Sequence, residues 1–306
     1  MKKELEKYCG VIPALYACYD DRGGVSPERT RALARHLVNK GVKGLYVGGS
    51  SGECIYLQKE ERMKTLEAVM AEVKGKCTVI AHVACNNTRE SRQLAAHAEA
   101  LGVDAVASIP PIYFHLPEYA IEKYWNDISA AAPRTDFIIY NIPQLAGVAL
   151  SVKLFENMRK NPRVIGVKNS SMPVQDIQLF KAAGGEDSIV FNGPDEQFIA
   201  GRALGADGGI GGTYGVMPEL FLKMNELFLA GDLPRAQQAQ YAVNEIISAM
   251  CACRGNLYAV IKKTLALREQ IFCGGVREPL YPLTEDDMPQ VRKCADMIDA
   301  AIAKFC

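Results

Sequence analysis

The sequence predicts a (β/α)8 barrel with a C-terminal helical extension, and three observations carry that prediction. Eight short apolar runs recur through the first two-thirds of the 306 residues, longer stretches with helical spacing separate them, and after Ile210 the short runs stop while helical spacing continues to Cys306. The runs are Val11 to Leu15, Gly44 to Val47, Thr78 to Ala81, Ala105 to Ala107, Phe137 to Tyr140, Val164 to Val167, Ile189 to Phe191 and Gly208 to Ile210. Each is too short and too apolar for a surface helix and suits a strand buried on both faces.

The segments between them carry apolar residues at helical spacing over Pro27 to Lys40, Gln58 to Val73, Arg89 to Leu101, Pro117 to Ala131 and Asp195 to Gly205. Start signals fit this division: Ser26-Pro27 with Glu28, Thr88 two residues before Glu90, and Ser151 before Val152. Stop signals fit it too, because Gly41, Gly102 and Gly205 follow the last periodic residues of three helices. Residues 1–217 therefore read as the barrel. Residues 218–306 read as its final helix plus an extension, broken near Gly231, Gly274-Gly275 and Pro279 to Pro282, and not as an independent domain. A doubly wound open sheet is the alternative, but it needs fewer strands, and no G-x-G-x-x-G follows the first run.

Composition bounds the function. Basic and acidic residues balance at 35 each and form no block, so the charge makes no case for nucleic acid or an anionic membrane, and a small ligand is expected. The start, Met1 to Lys7, lacks an apolar stretch that could serve as a signal core, and no segment approaches a membrane span, so a cytoplasmic protein is expected. Ten scattered cysteines show no C-x-x-C pairing and no matching histidine spacing, which points to reduced structural thiols. The four histidines, 36, 82, 97 and 115, are dispersed, so no metal is expected.

In this fold the working residues stand at the carboxyl ends of the strands and in the loops that follow. Lys168 closes the sixth run and precedes the polar turn Asn169-Ser170-Ser171. An amine at the mouth of a buried strand is dehydrated, which lowers its pKa and frees it to attack a carbonyl. Gly48-Gly49-Ser50-Ser51-Gly52, after the second strand, is a turn whose N–H groups and hydroxyls can meet a carboxylate; it lacks the lysine ending of a nucleotide-phosphate loop. A carboxylate held at Ser50 and Ser51 beside an amine at Lys168 describes a site for a 2-oxo acid. Tyr140 ends the fifth strand, where a phenol can pass protons; the competing reading is a core tyrosine. Glu53 reads as a brace for the turn, and Ile109 to Phe114 as apolar enough for core or interface. After the seventh strand, Asp195 and Glu196 can accept hydrogen bonds from vicinal hydroxyls, or simply dress a helix N-terminus.

Gly49-Ser50-Ser51-Gly52-Glu53, Tyr140-Asn141-Ile142-Pro143 and Gly166-Val167-Lys168, in this order, resemble the signatures of the class I aldolase superfamily of N-acetylneuraminate lyase and dihydrodipicolinate synthase. The resemblance spans essentially the whole chain. It is stronger toward the sialic acid lyase branch, because Gly44 to Ser50, Tyr140 to Val148 and Ala206 to Gly211 all read like that branch. The synthases carry an arginine two residues after the motif proline, where this chain has Leu145, which disfavours a second substrate carboxylate there.

The resemblance implies reversible cleavage of N-acetylneuraminate to N-acetylmannosamine and pyruvate through a Schiff base on Lys168, with no cofactor or metal. By resemblance, Lys168, Tyr140, Ser51 and Tyr113 are catalytic, Tyr113 in a neighbouring subunit's site of a homotetramer. Ser50, Ser51, Ser170, Gly193, Asp195, Glu196, Gly211 and Gly212 bind substrate. Gly212 departs from the serine common in the lyases, removing one hydroxyl contact to the far end of the substrate. Another pyruvate-dependent aldolase, a sugar-acid dehydratase or dihydrodipicolinate synthase remains the enzymatic alternative. A non-catalytic ligand-binding barrel is the alternative from a different class.

Overall fold

In the computed structural model, residues 5–306 are described. The first four residues of the expected barrel segment, which also begin the Met1 to Lys7 start, lie outside the described residues. Eight parallel strands form one sheet: β1 Val11–Pro13, β2 Gly44–Val47, β3 Thr78–His82, β4 Ala105–Ser108, β5 Asp136–Asn141, β6 Val164–Asn169, β7 Ile189–Asn192 and β8 Gly208–Gly211. Their order is β1-β8-β7-β6-β5-β4-β3-β2. The two ends meet through Lys43 N to Val11 O at 2.9 Å and Leu15 N to Tyr46 O at 2.8 Å, with a parallel bridge between Ala14 and Tyr46. The sheet is thus a closed barrel, and the open-sheet alternative is excluded.

The helices follow as α1 Pro27–Asn39, α2 Lys59–Val73, α3 Thr88–Leu101, α4 Glu118–Ala130, α5 Pro143–Ala146, α6 Val152–Arg159, α7 Gln175–Gly184, α8 Phe198–Ala203, α9 Pro218–Leu229, α10 Leu233–Cys251, α11 Leu257–Glu269 and α12 Met288–Phe305. Ser26 and Ser151 cap α1 and α6 through Arg29 N and Leu154 N, as their positions predict. At α3 the cap is Asn87, which accepts from Glu90 N, and Thr88 is the first helical residue. The expected helix from Asp195 to Gly205 is a 3-10 turn over Asp195–Gln197 followed by the short α8.

Two apolar layers make the core. Inside the barrel, Ile12, Tyr46, Ile80, Ile138, Ile165, Phe191 and Ile210 fill the lumen, while Val11, Leu45, Phe137, Val164 and Val167 face the helices. Tyr8 plugs the amino-terminal end, its hydroxyl donating to Asp104 O at 2.9 Å and Asp136 Oδ2 at 3.1 Å. Beyond the barrel, α10 packs on α9, and α12 on α9, α10 and α11.

One irregularity decides where the chemistry sits. Phe137 pairs with Val164, but Ile138 pairs with Gly166, so β6 carries one extra residue at Ile165. Strict alternation from the inward Ile165 would turn Lys168 outward, because a one-residue slip exchanges the two faces of a strand. The bulge restores the inward set, pairing Ile138 with Gly166 and Tyr140 with Lys168. The position takes glycine because a side chain there would run into Ile189.

Candidate active site

Lys168 and Tyr140 pair across β5 and β6, and both side chains enter the lumen at its carboxyl end. Sequence reading ends the strand before Lys168; in the fold β6 runs on through Asn169, since both residues keep their pairing to β5 and β7. Lys168 is 5% exposed, and its Nζ lies 3.7 Å from the Tyr140 ring centroid and 4.9 Å from that of Tyr46. Among the described residues no carboxylate forms an ion pair with it. Burial lowers its pKa from 10.5 to about 7, opposed by the charge of Asp195. Aromatic faces favour a cation, yet desolvation outweighs them here, which leaves a large share of free amine at neutral pH.

Tyr140 is buried, and burial raises its phenol to about 12, while the hydroxyls of Ser50 and Ser170 pull it down. It is therefore a neutral proton donor at rest. Tyr46 and His82 flank it edge-on, with centroid separations of 5.9 Å in both cases. Burial lowers His82 to about 3, so its ring is neutral, with Nδ1 3.0 Å from Gly48 O.

The Ser50-Ser51 turn is held open by its neighbours. Gly48 adopts a φ of +74°, which an L side chain rarely takes, and a side chain at Gly49 would fall 2.6 Å from the Tyr46 ring. The N–H groups of Gly52, Glu53 and Cys54 bond back to Gly49 O and Ser50 O, whereas those of Ser50 and Ser51 meet no backbone acceptor among the described residues. The N–H groups left to meet an anion are thus fewer than the whole glycine-rich run offers. Glu53, at φ +52°, braces the turn: its carboxylate accepts from Lys262 Nζ at 2.6 Å, Tyr19 OH at 2.9 Å and Arg277 N at 2.9 Å.

On the opposite wall Asp195 is buried, and its Oδ2 accepts from both Thr213 N and Thr213 Oγ1 at 2.6 Å. Burial raises it to about 6, countered first by the Thr213 bonds. Glu196 is exposed at the rim. Ser50, Ser51, Tyr140, Lys168, Ser170, Gly193, Asp195, Glu196 and Gly212 line one cleft of about 410 Å³, a size suited to a small ligand.

Two expected site residues do not line this cleft. Gly211 is inside β8 and does not line the cleft; its missing side chain makes room for Asp195 and Tyr214. Tyr113 does not join Lys168 within this chain: it is 85% exposed, at φ +86°, stacked edge-on against Phe114 in a separate surface hollow. The apolar Ile109 to Phe114 run is therefore not core at its end. Sequence reading also missed Tyr46, whose inward position in a strand was the available signal, and Tyr258, for which only the fold supplies the position.

A closed barrel with a dehydrated lysine, free of ion pairs among the described residues, beside a tyrosine and a serine turn has the parts that imine chemistry with a carbonyl compound requires. The profile of the dihydrodipicolinate synthetase family matches residues 7–298, and the chain belongs to that family. The N-acetylneuraminate lyase of Mediterraneibacter gnavus is 64% identical over 303 residues, covering 99% of this chain and 96% of the relative. That of Citrobacter koseri is 33% identical over 298 residues, covering 97% and 98%. Among solved structures, the wild-type sialic acid aldolase of Ruminococcus gnavus superposes with a TM-score of 0.97 at 64% identity, covering 98% of this chain and all of that one. Its catalytic lysine mutant superposes at 0.99 with 63% identity and complete coverage of both.

Proposed function

We propose that the protein reversibly cleaves N-acetylneuraminate to N-acetylmannosamine and pyruvate through an imine on Lys168. The observation that carries this reading is the amine of Lys168, buried, without an ion pair among the described residues and held near neutrality opposite the serine turn. The 64% identity to an N-acetylneuraminate lyase supports the substrate.

The open-chain sugar acid docks its carboxylate on Ser50 and Ser51, and the Lys168 amine attacks the C2 ketone to give a carbinolamine. Tyr140 donates its proton as the carbinolamine hydroxyl leaves as water, forming the iminium and a phenolate. The phenolate then takes the proton of the C4 hydroxyl; the C4–O electrons form the new aldehyde, and the C3–C4 bonding pair moves into the iminium to give an enamine. Protonation of the enamine and hydrolysis release pyruvate and restore both residues. Imine chemistry supplies the electron sink, so the cycle calls for no added cofactor or metal. Asp195, Glu196, Ser170, Gly193 and Gly212 face the remaining polyol. The exposed Tyr113 suits a contact with a second chain in a homotetramer, where it would enter the partner's site, and a cytoplasmic location fits the substrate. The exposed Leu145 at the cleft leaves no guanidinium for a dicarboxylic substrate.

The test is pyruvate release from N-acetylneuraminate by the purified chain, with Lys168→Ala alongside. Release by the wild type that vanishes in the variant is expected. A folded wild type that releases none, or a variant that turns over normally, overturns the reading.

A further inference from the structure

Helix α11 carries Tyr258 and Lys262 one turn apart, and both meet the turn that bears Ser50 and Ser51. Lys262 grips the end of that turn through Glu53, with both side chains fully buried, and also donates to Gly275 O at 2.7 Å. Tyr258 stands in the wall of the cleft next to Ser51. A methyl group placed on Gly212 would fall 3.1 Å from Ser51 Oγ and 4.0 Å from Tyr258 Cε1, so the hydroxyl and the ring face one small gap that Gly212 keeps clear. Asn256 fixes the start of the helix by accepting from Tyr258 N at 3.0 Å, which sets the direction from which the ring enters.

We propose that Tyr258 is a positioning residue that turns the Ser51 hydroxyl toward the substrate carboxylate, which makes helix α11 part of the carboxylate site. A serine hydroxyl has one proton and two lone pairs. When a phenol donates to Ser51 Oγ, the serine proton is left free to point at the anion, and the two bonds polarise one another. Burial raises the Tyr258 phenol while its contact with Ser51 lowers it, so it stays protonated and able to donate. Gly212 then has a positive function: it keeps the gap between Tyr258 and Ser51 clear, where a side chain would crowd the Ser51 hydroxyl and touch the Tyr258 ring.

This rests on the imine-forming reading above, and the experiment separates the two. Borohydride trapping is measured at low ketone concentration with pyruvate and with hydroxyacetone, a three-carbon ketone without the carboxylate, for wild type and Tyr258→Phe. The variant keeps the ring and its packing. It should trap pyruvate about fivefold more slowly and hydroxyacetone at an unchanged rate, the loss of one well-placed hydrogen bond. The same substitution should raise KM for N-acetylneuraminate by about fivefold and leave kcat within about twofold. Unchanged pyruvate trapping, or an equal loss with both ketones, overturns the role of Tyr258. A wild type that traps neither ketone overturns the imine reading itself. Gly212→Ala, which places a methyl against Ser51 and Tyr258, serves as the second variant and should show the same selective loss with pyruvate.

Discussion

Two buried lysines reach the carboxyl end of this barrel from different elements and have opposite surroundings. Lys262, on α11, is 2% exposed and is bound by the Glu53 carboxylate at 2.6 Å and the Gly275 carbonyl at 2.7 Å. Lys168, on β6, is 5% exposed, has aromatic faces around it and no ion-pair partner among the described residues. Burial alone therefore does not make a nucleophile. A buried amine with a carboxylate is a strut; one denied a carboxylate sheds its proton and can react.

The comparison gives the same substitution opposite signs at the two positions. Lys262→Met leaves Glu53 charged and buried without its cation, so it should destabilise the chain by about 3–5 kcal/mol, read as a lowered Tm. An unchanged Tm would remove the structural half of the contrast. Lys168→Met should instead stabilise by on the order of 2–4 kcal/mol at pH 7, because the native state no longer has to hold an amine far below its ordinary range. In the native chain this amine titrates near 7, against 10.5 as its ordinary value. Between those values the unfolded chain binds the extra proton, so wild-type stability rises with pH across that window. The advantage of Lys168→Met should accordingly shrink as the pH approaches 10.5; a gain independent of pH would contradict the assigned cause.

A smaller effect sharpens the reactive half. Imine formation with pyruvate needs free amine, so its rate in the free enzyme should fall about tenfold per pH unit below about 7 and level off above it. A profile that instead keeps rising toward 10.5 would show an ordinary lysine.

Much of this was legible in the chain before folding. The eight apolar runs correspond to the eight strands, since strands buried on both faces must be continuously apolar, and Lys168, Tyr140, Ser50 and Ser51 come together in the cleft. The bulge at Ile165 was not legible: an extra residue leaves no mark in a run already apolar throughout, yet it decides which way Lys168 points. Tyr258 and Lys262 were hidden because at their spacing on α11 they read as one more helical face. Tyr113 was legible only through resemblance, since nothing in the apolar Ile109 to Phe114 run marks which of its residues the fold turns out to the surface. Local pattern specifies elements; which element's side chain closes a site is settled by contacts between residues hundreds of positions apart, as between Glu53 and Lys262.

The most direct measurement is borohydride reduction of the wild-type protein with pyruvate, followed by peptide mapping of all modified lysines. The reduced pyruvate adduct should sit on Lys168, with none on Lys262. An adduct on Lys262 or another lysine, or no adduct on a folded chain, would contradict the claim that denying Lys168 a carboxylate is what makes it the nucleophile.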